Sequence, residues 1–132
     1  MPASGRVLLD TNIVIALFAA EAAVLAGIQR AAAVYVPAVA LGELFYGAQK
    51  SARAAANVHR IAEFAAAVAV LPCDGGTAVI YGELKAALRS MGAPIPENDL
   101  WIAAVARQHE LTLVTRDAHF RHLPHLPLER WT

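Results

Sequence analysis

The stretch RVLLDTNIVIALFAA, residues 6–20, places one carboxylate, that of Asp10, inside an apolar run. Residues 6–10 form the kind of short apolar run that makes a buried strand. Residues 11–20 are typical of a helix, with Thr11 or Asn12 as its N-cap. An ionised carboxylate is costly to bury unless it is paired or bound to a metal. The position of Asp10 therefore raises the question of what stabilises its charge.

Strand and helix patterns alternate along the rest of the chain. Further strands are predicted at 34–37, 70–74 and 111–115, with a last short strand near 126–129. Helices are predicted at 21–33, 38–50, 51–69, 76–92 and 99–110. This alternation predicts an α/β fold whose parallel sheet is covered on both faces. In such sheets, ligands bind at the carboxyl ends of the strands.

The composition limits the class of protein. A chain of 132 residues with 58% apolar and 17% charged residues predicts one domain over residues 1–132, and some apolar surface for a partner. The net charge of zero does not favour tight non-specific binding to polyanions. The single cysteine, Cys73, fits a reducing compartment, MPASGR is not a signal peptide, and no apolar run is long enough to span a membrane. We therefore expect a soluble cytoplasmic protein.

Acidic residues lie at the predicted connections between elements. The four aspartates of the chain are Asp10, Asp74, Asp99 and Asp117. Three of them follow strands, whose carboxyl ends share one edge of a parallel sheet, and Asp99 opens a helix after a proline-rich loop. Glu43 interrupts the apolar segment VALGELF. Such carboxylates indicate a site for Mg²⁺ or Mn²⁺, since hard cations take oxygen ligands. A cation of this kind activates water and stabilises charge on phosphoryl oxygens.

The alternative is that each aspartate only caps a helix. Capping is the better interpretation for Asp74, because D-G-G-T is an ordinary turn into a helix. The capping interpretation is weaker for Asp99, because Asn98 can cap that helix. It is also weaker for Asp10, because two other residues that can cap a helix follow it. For Glu43, an exposed helical position and a role in the site are equally compatible with the sequence.

Four motifs between Arg6 and Phe120 resemble, in order and spacing, those of PIN-domain nucleases, and more narrowly VapC-type toxin ribonucleases of toxin–antitoxin pairs. LLDTNIVIAL resembles the opening strand and D-T/S-N element of that family. PAVALGELFYGA resembles its next motif, in which a glutamate precedes Tyr-Gly. PIPENDLWIAAVA resembles its N-D-x-x-I-A-A motif, and LTLVTRDAHF its strand followed by T-x-D and an aromatic residue.

The resemblance implies a three-layer α/β/α sandwich with a central parallel sheet and an acidic site. Carried over by motif, the site residues are Asp10, Glu43, Asp99 and Asp117. Asp10 and Asp99 would bind Mg²⁺ or Mn²⁺ directly, whereas Glu43 and Asp117 would bind a second ion or act through water. The implied reaction is hydrolysis of RNA phosphodiester bonds by metal-activated water, without a catalytic histidine.

Neighbouring polar residues have two interpretations each. Thr11, Asn12 and Thr115 would orient the acids or the water, or would only form capping and strand-end hydrogen bonds. Arg116 would contact a substrate phosphate, or would be a solvated loop residue. The resemblance also implies three partners: an RNA substrate, an antitoxin that places a helix and an arginine in the acidic site, and a second copy of the chain in a homodimer.

Other functions fit the sequence less well. A phosphoacceptor receiver domain requires an acidic pair after the first strand and a lysine after a late strand, but Asp10 has no acidic neighbour and both lysines lie in predicted helices. A catalytically silent module that only binds RNA or an antitoxin would not need all four acids. A nuclease acting on DNA or flaps usually carries insertions that this short chain lacks.

Three histidines, His119, His122 and His125, have the spacing of a zinc site. Pro124 and Pro127 would break any helix that aligned them, and no cysteine is near. We therefore predict a surface loop for this segment.

Overall fold

The computed structural model describes residues 5–132 as an alternation of strands and helices. The strands are β1 (Arg6–Leu9), β2 (Ala33–Pro37), β3 (Ala69–Leu71), β4 (Thr112–Val114) and β5 (Leu128–Glu129). The helices are α1 (Thr11–Phe18), α2 (Ala22–Arg30), α3 (Ala38–Gln49), α4 (Ala54–Ala67), α5 (Gly75–Met91) and α6 (Glu97–Gln108), with a 3₁₀ helix at Ala118–His122. The predicted elements are all present, with ends shifted by a few residues.

The five strands form one parallel sheet in the order β3-β2-β1-β4-β5. The six helices flank the sheet, which confirms the predicted three-layer α/β/α sandwich. The chain adds β2 and β3 on one side of β1 and then crosses over to add β4 on the other side. The order therefore reverses between β1 and β4, and ligands of open α/β sheets bind in the crevice at such a point.

The core is built around the two central strands and α6. Val7, Leu8 and Leu9 of β1 are at most 1% exposed, and all of β4 is buried. In α6, residues 102–106 are buried without interruption, so this helix is apolar on nearly every side. Three alanines in that segment allow its backbone to lie close to its neighbours. The position of the first turn of α6, which carries Asp99, is therefore set by dense packing.

Two of the predicted helix caps are wrong. The N-cap of α1 is Asp10 itself, whose Oδ1 accepts the backbone N–H of Thr11 at 2.8 Å. Neither Thr11 nor the residue after it is the cap. Helix α6 begins at Glu97 after Pro96, so Asn98 lies inside the first turn. Pro96 is the N-cap, and no side chain caps this helix, so the predicted cap by Asn98 is not formed.

Both ends of α5 agree with the sequence. Asp74 forms a capping box with Thr77, which confirms the predicted cap. Its Oδ1 also accepts the side-chain amide of Gln108 at 2.8 Å, so it joins the start of α5 to the end of α6. Gly92 ends the helix with a φ of 63°, a conformation that glycine adopts without steric cost.

Helices α1 and α2 meet at a bend of 111°. Together they have the length and composition of a broken membrane span, but no single helix among residues 5–132 does. Trp131 closes over α2 at Gly27, where an added Cβ would lie 2.3 Å from the indole ring. The close approach of Trp131, which is 3% exposed, therefore requires glycine at this position.

Candidate active site

Asp10 lies at the carboxyl end of β1, at the point where the strand order reverses. The residue is 4% exposed, and its Oδ2 accepts the Thr115 hydroxyl at 2.7 Å, while Oδ1 accepts the Thr11 N–H. Burial raises the pKa of Asp10, and the charges of Glu43 and Asp117 raise it further against these two hydrogen bonds. The carboxylate is thus held firmly in a place where its charge is costly.

Thr115 links the ends of the adjacent strands β1 and β4. Besides donating to Asp10, its buried hydroxyl accepts the backbone N–H of Asp117 at 3.0 Å. Asp117 is the N-cap of the 3₁₀ helix, and its Oδ1 accepts the backbone N–H of His119 at 2.9 Å. One hydroxyl therefore sets the positions of two of the four predicted acids.

Glu43 lies on α3 and reaches the same crevice. The Thr11 hydroxyl donates to Glu43 Oε1 at 2.6 Å, while the Thr11 backbone donates to Asp10. Thr11 thus connects the carboxylates that follow β1 and β2 in the chain. Of the two interpretations left open by the sequence for Glu43, this contact favours a place in the site over a freely solvated helical position.

Asp99 completes the group from the first turn of α6. Its pKa is raised to about 6, first by burial and then by the negative charges of Asp10, Asp117 and Glu43, against a smaller opposing effect of His119. These mutual effects show that the four acids predicted from the sequence converge. Burial and like charges at close range both disfavour the ionised form of Asp99, and burial is the larger of the two causes.

His119, which the sequence pattern predicted to lie in a surface loop, is also a member of this group. The side chain is 52% exposed, but Nδ1 lies 2.9 Å from Asp117 Oδ1 and 4.0 Å from Asp99 Oδ2. The three residues each offer one ligand atom, and these atoms lie within 4.8 Å of one another. The signal in the sequence was the pattern D-x-H after the fourth strand, at 117–119.

This donor set is suited to a divalent cation. Carboxylate oxygens dominate it, and they are the ligands that Mg²⁺ and Mn²⁺ prefer. A bound cation would also offset the cost of burial and the repulsion that together raise the pKa values of Asp10 and Asp99. The residues present therefore fit the predicted Mg²⁺ or Mn²⁺ site.

Arg116 has structural partners. Its Nη2 lies 2.8 Å from Glu21 Oε1, and its Nε donates to the Trp131 carbonyl at 3.0 Å. These bonds tie the loop after β4 to the start of α2 and to the C-terminal segment. Arg116 is thus not the solvated loop residue of one interpretation, and its predicted contact with a substrate phosphate would require the Glu21 pair to open.

Two polar residues stand apart from these contacts. The amide oxygen of Asn12 is buried and has no hydrogen-bond partner among residues 5–132. Its predicted orienting role stays a prediction. Asp74 bonds to Thr77 and Gln108 at the start of α5, and it makes no hydrogen bond to any of the four clustered acids.

Comparison with known sequences agrees with this geometry. The model of the PIN domain family matches residues 7–126. The ribonuclease VapC2 of Haemophilus influenzae is 33% identical over 129 residues, which are 96% of this chain and 98% of that protein. The tRNA(fMet)-specific endonuclease VapC of Shigella flexneri is 34% identical over 98 residues, 74% of each chain.

Solved structures agree as well. One similar structure is VapBC2 from Rickettsia felis, bound to a DNA fragment from its promoter. A chain of that structure superposes on this chain with a TM-score of 0.88 and 30% sequence identity, over 96% of this chain and 98% of the other. The DNA-bound VapBC of Salmonella typhimurium gives a TM-score of 0.89 at 26% identity, with the same coverage. From the matched family model, the near full-length alignment and the acidic crevice, we conclude that this chain belongs to the PIN domain family and, within it, to the VapC group.

Proposed function

We propose that the chain is a Mg²⁺- or Mn²⁺-dependent endoribonuclease and the toxin of a toxin–antitoxin pair. The observation that carries this proposal is the convergence of four carboxylates in the crevice between β1 and β4. Its relatives are named ribonucleases and endonucleases, and one name specifies tRNA(fMet). We therefore propose RNA as the substrate and initiator transfer RNA as the first one to test.

The proposed site residues are Asp10, Glu43, Asp99 and Asp117. A bound divalent cation would activate water and stabilise negative charge on the phosphoryl oxygens. Asp10 and Asp99 are assigned as direct ligands because burial makes their charges the most costly to leave uncompensated. Glu43 and Asp117 would hold a second ion or a water molecule beside them.

Thr11 and Thr115 are proposed as positioning residues. Their three side-chain and backbone donors hold Asp10 and Glu43 in one arrangement. A ligand held in advance loses less freedom when the cation or substrate binds. Such outer contacts typically change metal affinity or activity about 10- to 100-fold when removed.

An antitoxin is the proposed protein partner. A groove of about 250 Å³ begins at Thr11 and Glu43 and continues along apolar side chains, among them Ile15, Phe18 and Ile61. Ile15 is 55% exposed, so its apolar surface is available for contact. An amphipathic helix that carries a cation would fit both the apolar and the acidic part of this groove. The similar structures named above are VapBC complexes.

We further propose a homodimer in the cytoplasm. Tyr46 on α3 and Val79 on α5 are about two-thirds exposed, although apolar side chains of this size are usually buried. The cytoplasm is proposed because the substrate is RNA. Light scattering on the purified chain after gel filtration would give its mass, and a value of one protomer at high concentration would refute the dimer.

The test of the proposed function uses antitoxin-free protein with initiator transfer RNA, total RNA and single-stranded DNA. We expect discrete RNA fragments with Mg²⁺ or Mn²⁺, and none with EDTA or in Asp10→Asn and Asp99→Asn. Glu83→Gln, at an exposed position of α5, is the control that should keep full activity. Binding of RNA without cleavage would favour the silent module, and cleavage of DNA alone would change the substrate class.

The strand order of the sheet disagrees with the receiver-domain alternative. Receiver domains have the strand order 2-1-3-4-5, in which β1 lies between β2 and β3. In this chain β1 lies between β2 and β4. Acidic residues at strand ends occur in both folds, and the strand order separates them.

The role of Arg116 can be tested against that of Glu21. If Arg116 contacts RNA, Arg116→Gln should raise KM, whereas Glu21→Gln should leave KM unchanged or lower it, because the arginine is released. If the pair only ties α2 to the loop after β4, both variants should lower the melting temperature and leave KM alone.

A further inference from the structure

We propose that His119 supplies a nitrogen ligand to a cation held between Asp99 and Asp117, and that this ligand gives the site a preference for Mn²⁺ over Mg²⁺. The inference rests on the proposed function, since that function requires a cation in the crevice. The imidazole would be added to the carboxylate ligands of that function, and it would raise the affinity for Mn²⁺ relative to Mg²⁺.

The positions of the atoms support a shared ion. His119 Nδ1 lies 2.9 Å from Asp117 Oδ1 and 4.0 Å from Asp99 Oδ2. Two ligands that are each about 2.1 Å from one ion lie at most about 4.2 Å apart. Both distances fall within that limit. The imidazole thus needs little movement to bind an ion together with the two carboxylates.

The backbone holds this arrangement. Asp117 Oδ1 accepts the backbone N–H of His119, and Thr115 accepts the backbone N–H of Asp117. The 3₁₀ helix that begins after Asp117 therefore fixes the backbone position from which the His119 imidazole extends. With half of the His119 side chain exposed, an ion can exchange with solvent at this side of the crevice.

The alternative is that Nδ1 carries a proton and only donates it to Asp117. In that case a cation would be bound by oxygen atoms alone. The two arrangements differ in the relative affinities for the two metals. Mg²⁺ strongly prefers oxygen ligands, whereas Mn²⁺, which oxygen ligands also suit, is a first-row transition metal and accepts an imidazole nitrogen more readily than Mg²⁺ does. A nitrogen ligand should therefore shift the affinity toward Mn²⁺.

The experiment measures metal binding directly on tag-free, antitoxin-free protein. Pulsed EPR of bound Mn²⁺ detects coupling to a directly ligating nitrogen, and calorimetry gives the affinities for Mn²⁺ and Mg²⁺. The variants are His119→Ala and Asp99→Asn. The matched control is His122→Ala, an exposed histidine on the same 3₁₀ helix that is not part of the ligand group.

We expect nitrogen coupling in the wild type and in His122→Ala, and its loss in His119→Ala. The affinity of His119→Ala for Mn²⁺ should fall by at least about tenfold, with a smaller change for Mg²⁺. If the wild type binds Mn²⁺ without nitrogen coupling and Asp99→Asn abolishes binding, the carboxylates alone hold the ion and this inference is overturned. If the wild type binds no Mn²⁺, or Asp99→Asn binds it equally well, the cation site of the proposed function fails as well.

Discussion

Asp99→Asn is expected to stabilise the metal-free protein at neutral pH, although it removes a proposed cation ligand. In the absence of a cation, four carboxylates share one crevice, and the ionised form of Asp99 is disfavoured there by burial and by its charged neighbours. Asparagine has nearly the same shape and no charge. The variant therefore removes a charge that cation binding requires but that lowers the stability of the metal-free protein.

The size of the effect follows from the pKa. The pKa of Asp99 is raised from 3.8 to about 6. At about 1.4 kcal/mol per pKa unit, this difference corresponds to about 3 kcal/mol of lost stability when the group is ionised. Its side chain is 16% exposed, so water screens part of the repulsion. We expect a gain of about 1 to 3 kcal/mol in the free energy of unfolding for the variant.

The dependence on pH has a definite sign. Because the pKa is higher in the folded state, Asp99 does not reduce stability below pH 3.8, where both states are protonated. Between pH 3.8 and about 6 the unfolded chain loses its proton first, so the folded protein becomes less stable as the pH rises. Above about 6 the loss is complete. The gain in the free energy of unfolding of Asp99→Asn over the wild type should therefore be small at the acid end of this pH range and reach its full size at neutral pH.

Urea unfolding in EDTA, at the acid end of this pH range and at neutral pH, measures the difference in the free energy of unfolding between Asp99→Asn and the wild type. Asp74→Asn is the matched control, because hydrogen bonds from Gln108 and Thr77 lower the pKa of Asp74, so its charge favours folding and its removal should not stabilise. Adding Mn²⁺ should raise the stability of the wild type and not that of Asp99→Asn. An Asp99→Asn variant that is less stable than the wild type at neutral pH would refute the reasoning.

Two further predictions concern packing and the hydrogen bond at Asp10. Gly27→Ala should lower the free energy of unfolding by about 1 to 3 kcal/mol, because its Cβ would overlap the Trp131 ring. Gly82→Ala in α5 is the control, because an added Cβ there meets nothing within 4 Å, and it should raise the free energy of unfolding by up to about 1 kcal/mol. If urea unfolding gave the same change for both variants, the close packing of Gly27 against Trp131 would be contradicted. Thr115→Val removes the donor to the buried Asp10 carboxylate, so we expect a loss of about 1 to 3 kcal/mol and, by calorimetry, weaker Mn²⁺ binding; unchanged values would contradict a positioning role.

The class of fold and the four clustered acids were predicted from the sequence. Apolar runs and helical periodicity are local patterns, and they predicted the alternation of strands and helices that forms the sheet. Parallel strands place their carboxyl ends at one edge, so Asp10 and Asp117 could be expected near each other before any contact was known. The cap at Asp74 was equally predictable, because a capping box spans only four residues, here 74–77.

Helix starts were less accessible, because several neighbouring residues can cap a helix. Thr11 and Asp10 both have capping side chains, and local sequence does not choose between them. The choice is made by the sheet: Thr115 on the neighbouring strand holds the Asp10 carboxylate, and the Thr11 hydroxyl is taken by Glu43. These contacts join residues 105 and 32 positions apart in the chain.

The sequence by itself thus determined the order of strands and helices, the family motifs and the acids that carry them. Only the tertiary structure decided that His119 faces two of those acids and that Arg116 pairs with Glu21, 95 positions away. The physical reason is the range of the interactions. Backbone propensity, capping and periodicity act over a few residues, whereas an ion pair or a ligand group depends on which distant segments the packed sheet brings together.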